Sequence, residues 1–291
     1  MGSSIIIADS GSTKTDWRLL KKSLINSYST AGLNPFYQSE EEIYSLLRES
    51  FLEGIAGDVE SLYFYGAGCL AGAAHDKMER AIGKIIHKDK VFVSDDLMAA
   101  ARATLKQQTG IACILGTGSN SCFYNGKEIT DRIPAMGFIL GDEGSGAVMG
   151  KKLVNTYFKE EMPPEMQKLF ADRYHLKLED LLAKVYREPF PNRYLAAFTY
   201  FLSEQKDHPW IHAFIKENFR EFIRKNVSKY KDFHRYPVSF TGSLAGVFRD
   251  VLTEVLKEEK ISKWIILDKP IEALVEFHLG NHPDAVSNRE L

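Results

Sequence analysis

The chain has 291 residues, 44% of them hydrophobic and 26% charged, with 37 basic against 39 acidic side chains and a formal net charge of −2. That length suits two domains with separate cores, and that composition excludes a disordered chain. The charge balance leaves no positive surplus to drive counterion release from nucleic acid or attraction to anionic lipid, so the expected partners are small molecules, with no nucleic acid and no membrane.

Cys69, Cys113 and Cys122 are the only cysteines; their number and spacing fit neither a disulfide framework nor a zinc site, which points to a reducing compartment. No apolar run approaches the roughly 20 residues that span a bilayer, and Met1-Gly2-Ser3-Ser4-Ile5 carries no basic leader. A cytoplasmic location is therefore expected.

Ile5-Ile6-Ile7-Ala8 is an apolar run closed by the turn formers Asp9-Ser10-Gly11-Ser12, and β-like runs follow at Asp16 to Leu20 and Leu24 to Ser29. Helical spacing of Ile43, Leu46, Leu47 and Phe51 predicts a helix from about Glu40 to Glu53. A strand (Ser61 to Tyr65), a helix (Leu70 to Ile86), a strand (Val91 to Ser94) and a helix (Leu97 to Lys106) complete a βββαβα unit of the mixed α/β class. A second cycle begins at Ile111 to Leu115, continues at Ser121 to Tyr124, and turns at Asn125-Gly126, a strong hairpin signal. Gly144 to about Asn226 reads as largely helical, with breaks at Pro163-Pro164, Pro189 to Pro191 and Pro209, before a strand at Pro237 to Phe240 and a helix from Leu244 to Lys257. The element order implies an elaborated duplication of the first unit.

Three small-residue loops carry the chemistry. Asp9-Ser10-Gly11-Ser12-Thr13-Lys14-Thr15 is a tight turn whose backbone N–H groups and hydroxyls can bind phosphate oxygens, while Asp9 at the strand end can hold Mg²⁺ through water. Gly116-Thr117-Gly118-Ser119-Asn120 has the same character at the matching place in the second unit, which weakens the alternative of two ordinary turn-rich hairpins. Thr241-Gly242-Ser243 joins a strand to a helix, a common resting place for a nucleotide, although taken in isolation it reads first as an ordinary capped connection.

These three loops, in this order, resemble the two phosphate motifs and the adenosine motif of the actin, Hsp70 and sugar kinase superfamily. Gly32-Leu33-Asn34-Pro35, Gly116 to Asn120 and Gly141-Asp142-Glu143-Gly144-Ser145-Gly146 resemble, within it, the N-acetylglucosamine kinases and their BadF-type ATPase relatives. The first loop departs from many relatives in carrying Ser10 and Ser12 where they have glycines. The resemblance spans nearly the whole chain and implies an α/β fold of two ribonuclease H-like, actin-like ATPase domains with a nucleotide cleft between them: residues 1–108, completed by a C-terminal helix at 271–291, and residues 109–270 with helical insertions. It implies a kinase using ATP as co-substrate, with Mg²⁺, to phosphorylate an amino sugar, N-acetylglucosamine first among the candidates, at O6.

Transfer to a hydroxyl needs a proton acceptor beside the attacking oxygen. Asp96 stands where the resembled family places its catalytic aspartate, before an alanine-rich helix; Asp95 is its rival, and either could instead cap that helix. By resemblance Asn34, Gly118, Ser119, Asn120 and Asp142 would contact the sugar, Asn34 having a turn role as its alternative. Dimerisation is an expectation from relatives.

Other readings fit less well. The run Gly66-Ala67-Gly68-Cys69-Leu70-Ala71-Gly72 misses the dinucleotide fingerprint. An ATPase that activates a partner enzyme through an iron–sulfur cluster would need a cysteine pattern these three do not present. A non-catalytic sugar sensor acting on DNA would normally carry a DNA-binding extension. His208 and His212 share an i, i+4 spacing without completing a metal motif.

Overall fold

The computed structural model describes residues 4–11, 14–21, 24–70 and 72–281. The chain divides into two compact units, one made of Met1–Lys106 with Pro270–Leu291 and the other of Gln107–Lys269.

The first unit begins with strands β1 (Ser4–Ser10), β2 (Lys14–Lys21) and β3 (Leu24–Ala31), followed by helix α1 (Glu40–Arg48), strand β4 (Val59–Gly66), helix α2 (Ala73–Gly83), strand β5 (Val91–Asp95) and helix α3 (Asp96–Leu105). The sheet order is β3-β2-β1-β4-β5. Strand β1 pairs antiparallel with β2 and parallel with β4, which pairs parallel with β5. The uninterrupted apolar run Ile5 to Ala8 suits this central position, buried on both faces. At the edge, β3 leaves Leu24 and Ile25 exposed.

Helix α1 starts at a capping box in which Ser39 accepts from the Glu42 N–H and Glu42 accepts from the Ser39 N–H; it buries Ile43 and Leu47 and ends at Arg48, short of the expected Glu53. Helix α2 starts at Ala73 rather than Leu70, because Gly72 sits at φ 107° and breaks the helical path. Helix α3 buries its alanines Ala99, Ala100, Ala101 and Ala103.

The second unit contains β6 (Gly110–Leu115), β7 (Ser119–Tyr124) and β8 (Ile129–Ile133), then α4 (Gly137–Leu140), α5 (Gly146–Phe158), α6 (Pro164–Tyr174), α7 (Leu178–Tyr186), α8 (Pro191–Ala197), α9 (Thr199–Glu204) and α10 (Pro209–Lys225). It closes with β9 (Val238–Thr241), α11 (Ser243–Val247), α12 (Arg249–Glu258) and β10 (Trp264–Leu267). Read from β8, its sheet order is β8-β7-β6-β9-β10, with β6–β7 and β7–β8 antiparallel and β6–β9 and β9–β10 parallel. Each unit thus has the strand order 3-2-1-4-5 with the second strand reversed. This is the ribonuclease H-like sheet of the actin-like fold, built twice. The four residues Asn125–Glu128 join β7 to β8, with the Asn125 side chain accepting from the Lys127 and Glu128 N–H groups and Gly126 at φ 96°.

The second core is rich in aromatics, among them Phe170, Phe198, Phe201, Phe219, Phe222 and Phe240; Trp210 and Phe214 pack against it from partly buried positions. His208 and His212 pair separately with Glu165 and Glu254, so they do not converge on one site. The last helix, α13 (Ile271–Asn281), returns to the first unit and packs against α3. Residues 282–291 of the expected C-terminal helix lie outside the described residues.

Candidate active site

Parallel pairing aligns Ser10 of β1 with Gly66 of β4, and Gly66 with Asp95 of β5. The carboxyl ends of three parallel strands therefore meet in one row, the place where open α/β sheets bind ligands. Asp9 lies one residue before that row, opposite Asp16 across the β1–β2 pair and beside Tyr65 of β4. Burial, then the charges of Asp96 and Asp16, push its carboxyl from 3.8 to about 7.

The structure divides the first loop's residues by role. Ser10 and Thr15 are buried, their hydroxyl oxygens 2.7 Å apart. Ser10 also accepts from the Leu33 N–H at 3.0 Å, and Thr15 donates to the Ala31 carbonyl at 3.1 Å. Both side chains thus hold the turn together. The Gly11 N–H donates to the Lys14 carbonyl at 3.0 Å, and the Lys14 ammonium lies 2.6 Å from Asp16. Ser12 and Thr13 lie outside the described residues.

The neighbouring aspartates differ sharply. Asp95 is 7% exposed and is the N-cap of α3, its Oδ1 accepting from the Met98 N–H at 2.8 Å. Asp96 is the first helical residue and half-buried, and its charge reaches both Asp9 and Cys69, whose thiol is pushed up to about 12 by burial, then by Asp96 and Asp95. Asn34 forms a turn in which its Oδ1 accepts from the Phe36 N–H at 2.9 Å. That oxygen lies against Gly68, at φ +81°, where a Cβ would come within 2.9 Å of it.

In the second unit the Gly116–Asn120 loop clasps the Gly141–Gly146 segment. The Gly116 N–H donates to the Gly118 carbonyl at 3.0 Å, and the carbonyls of Gly116 and Thr117 accept from the N–H groups of Gly146 and Ala147 at 2.8 and 3.0 Å. The Ser119 hydroxyl donates to the Glu143 carbonyl at 2.8 Å. Asp142 accepts from the Ser119 N–H, and a Cβ on Gly118 would lie 3.0 Å from its Oδ2. Asp142 occupies left-handed backbone at φ 54°, and burial is the main cause raising its carboxyl to about 6. Asn120 Oδ1 accepts from the Ser121 N–H at 2.9 Å.

Thr241 is aligned with Ile114 in the β6–β9 pair, bringing the third loop beside the second. Gly242, at φ +110°, passes so close to Leu115 that a Cβ would fall 2.4 Å from its carbonyl oxygen. Ser243 is exposed at the first position of α11. Within this unit, Gly116 to Asn120, Asp142 and Thr241 to Ser243 therefore gather around the ends of β6 and β9.

Three features escaped the sequence reading. Lys151 of α5 donates to the Phe138 carbonyl at 2.6 Å, and its charge reaches Asp142; burial holds its ammonium below the usual lysine range. Asp16 stands across from Asp9. Tyr65 is bound by Arg102 at 2.7 Å and by buried His278 of α13 at 2.8 Å, a linkage across 213 residues that no local pattern announces.

No family model matches the chain. A crystal structure from Porphyromonas gingivalis, assigned as an N-acetylglucosamine kinase, is 40% identical and superposes with a TM-score of 0.90 over 96% of this chain and 99% of that one. The chain belongs to the N-acetylglucosamine kinase family of sugar kinases. A Chromobacterium violaceum protein with the same assignment shares the fold at 16% identity, with a TM-score of 0.73 over 94% of this chain and 98% of that one. An N-acetylmuramic acid/N-acetylglucosamine kinase of Clostridium acetobutylicum is 29% identical over 209 residues, 67% of this chain and 68% of that protein. Among the described residues of this family member, no helix is long and apolar enough to cross a membrane.

Proposed function

We propose that the protein is an ATP-dependent kinase that phosphorylates N-acetylglucosamine at its O6 hydroxyl. The full-length likeness at 40% identity carries the reading, and the separation of Asp96 from the capping duty of Asp95 supports it chemically. In this reading Asp96 accepts the proton of the acceptor hydroxyl as the oxygen attacks the γ-phosphorus and ADP leaves. Asp95 fixes the start of α3, and so the place of Asp96.

Asn34, Asn120, Asp142, Ser119 and the Gly118 backbone hold the sugar hydroxyls and N-acetyl group. Such groups discriminate because a wrong sugar leaves them unpaired. The first loop from Asp9 to Thr15, with Gly116 and Thr117, receives the phosphates, and Thr241, Gly242 and Ser243 the rest of the nucleotide. Ser10 and Thr15 serve by shaping the turn, since their hydroxyls bond within it.

The residues around Asp9 fit a magnesium ion. Burial and two neighbouring carboxylates make Asp9 bind a proton unusually well, and a hard cation with oxygen ligands relieves the same crowding. Asp9 would hold the ion through water, and the bound ion would neutralise phosphate charge. A cytoplasmic homodimer and a place beside the BadF-type ATPases complete the proposal.

The deciding test is ADP release with Mg²⁺ and ATP against a panel of amino sugars and hexoses, with a no-sugar control. Release that depends on N-acetylglucosamine, with phosphate found at O6, is the expected result. Release without sugar would replace the kinase reading with an ATPase, and no turnover with any acceptor would favour a sensor.

A further inference from the structure

The face of the first sheet that bears Asp9 also carries a buried hydroxyl that the kinase reading does not use. Strand β1 pairs Ile7 with Tyr63 and Asp9 with Tyr65 of β4, so these four side chains leave one face of the sheet. Ile6, Ala8, Leu62 and Phe64 leave the other and share a core with Met78 and Ile82 of α2. Helices α3 and α13 cover the Asp9 face, since both reach Tyr65 and both pack against β1.

Tyr65 is 1% exposed. Its hydroxyl oxygen accepts from Arg102 Nη1 of α3 at 2.7 Å and lies 2.8 Å from Nε2 of buried His278 in α13. Aromatic rings hold both partners in place. The His278 ring stacks on Tyr63 with centroids 3.9 Å apart, and the Arg102 guanidinium lies 5.8 Å from the Tyr65 ring centre and 5.5 Å from that of Phe277. One phenol oxygen thus joins β4, α3 and α13.

The packing of α3 makes that junction matter for Asp96, which opens the helix about 9 Å along its axis from Arg102. Four of the seven residues that α3 buries are Ala99, Ala100, Ala101 and Ala103. Alanine brings a helix close to a sheet but has no long side chain to interlock with it, so apolar packing alone defines the place of α3 loosely. The Asp95 cap bonds within the first turn, whereas the Arg102–Tyr65 bond ties the body of the helix to the sheet. A charged donor gives that tie strength and a fixed length. A displacement at Arg102 is carried along the helix to Asp96, whose charge reaches Asp9.

We propose that Tyr65 is a positioning residue for phosphoryl transfer: its hydroxyl, held between Arg102 and His278, fixes α3 on the sheet and so sets Asp96 against the acceptor hydroxyl. The proposal rests on the reading of Asp96 as proton acceptor. Through His278 it gives the last helix of the chain a share in that placement, because α13 and α3 meet at the same oxygen.

The test is steady-state kinetics of the full-length chain with ATP and N-acetylglucosamine, with circular dichroism to check folding. A misplacement of about 1 Å costs up to about 100-fold in rate, so Tyr65→Phe, which removes only the hydroxyl, should lower kcat about 10- to 100-fold and leave the KM for ATP near wild type. Arg102→Met should match it, and Tyr65→Phe with Arg102→Met should be no slower than either alone, because both break one tie. His278→Phe keeps a ring against Tyr63 and loses the hydrogen bond; its kcat should also fall. In the Asp96→Asn background Tyr65→Phe should slow the residual turnover no further. Wild-type kcat in folded Tyr65→Phe or His278→Phe, or a full further loss on top of an impaired Asp96→Asn, would overturn the positioning role and leave Tyr65 a purely structural residue. Wild-type turnover in Asp96→Asn alone would instead remove the proton-acceptor reading, and this proposal with it.

Discussion

Adjacent carboxylates with different duties should separate cleanly under mutation. Asp95 is 7% exposed and accepts one hydrogen bond, from the Met98 N–H at 2.8 Å. Removing an N-cap side chain costs about 1 to 2 kcal/mol, whereas Asn caps nearly as well as Asp. Each kcal/mol lowers the unfolding midpoint of a chain of this size by about 2 to 4 °C. Asp95→Ala should therefore lose about 2 to 8 °C, while Asp95→Asn keeps both midpoint and turnover. Asp96→Asn removes the proposed proton acceptor at nearly constant shape and should lower kcat by about 100- to 10,000-fold, with ATP binding retained. It also removes a charge that raises the Asp9 carboxyl, so its midpoint above pH 7 should hold or increase. Differential scanning fluorimetry and coupled ADP release on the three variants decide the matter. Wild-type turnover in Asp96→Asn, or loss of turnover without loss of stability in Asp95→Asn, would refute the assignment and transfer the role to Asp95.

The carboxyl of Asp9, raised by folding from 3.8 to about 7, makes the folded state bind the extra proton between those values, so stability should fall as pH rises through that window and level off above it. The full span corresponds to about 4 kcal/mol, which partial exposure and charge coupling reduce to about 1 to 2. Without Mg²⁺, Asp9→Asn should flatten this slope and unfold later than wild type at pH 8; an unchanged pH profile would contradict the burial argument. Gly118→Ala places a methyl 3.0 Å from Asp142 Oδ2 and should raise the acceptor KM while leaving the ATP KM near wild type, measured by varying each substrate in turn. Gly150→Ala would drive a Cβ to 1.8 Å from the Leu195 backbone oxygen, forcing α5 and α8 apart at a cost of about 3 kcal/mol or more; urea denaturation tests this.

The strands were legible where one local rule sufficed. The run Ile5 to Ala8 announced a strand, and its pairing with both β2 and β4 placed it inside the sheet, where a strand buried on both faces needs no polar alternation. Asn125-Gly126 announced the β7–β8 hairpin because its turn needs just such residues. By contrast β10, Trp264–Leu267, was not read: it is four residues long, lies between charged segments and takes its identity from pairing with β9. The end of α1 and both ends of α2 were misplaced because apolar spacing continues past the points where backbone geometry stops the helix.

For the candidate site, the sequence by itself determined the residue types and their order: an acid before the first small-residue loop and before the alanine-rich helix, and glycines where backbones must approach closely. These are local properties, carried by adjacent residues. Tertiary structure alone decided which aspartate caps α3, which hydroxyls of the first loop turn inward, and that Asp142 lies against Gly118 and Ser119. It also brought His278 to Tyr65 from the far end of the chain. Each of those outcomes depends on distances between segments remote in sequence, and burial and charge act through space rather than along the chain.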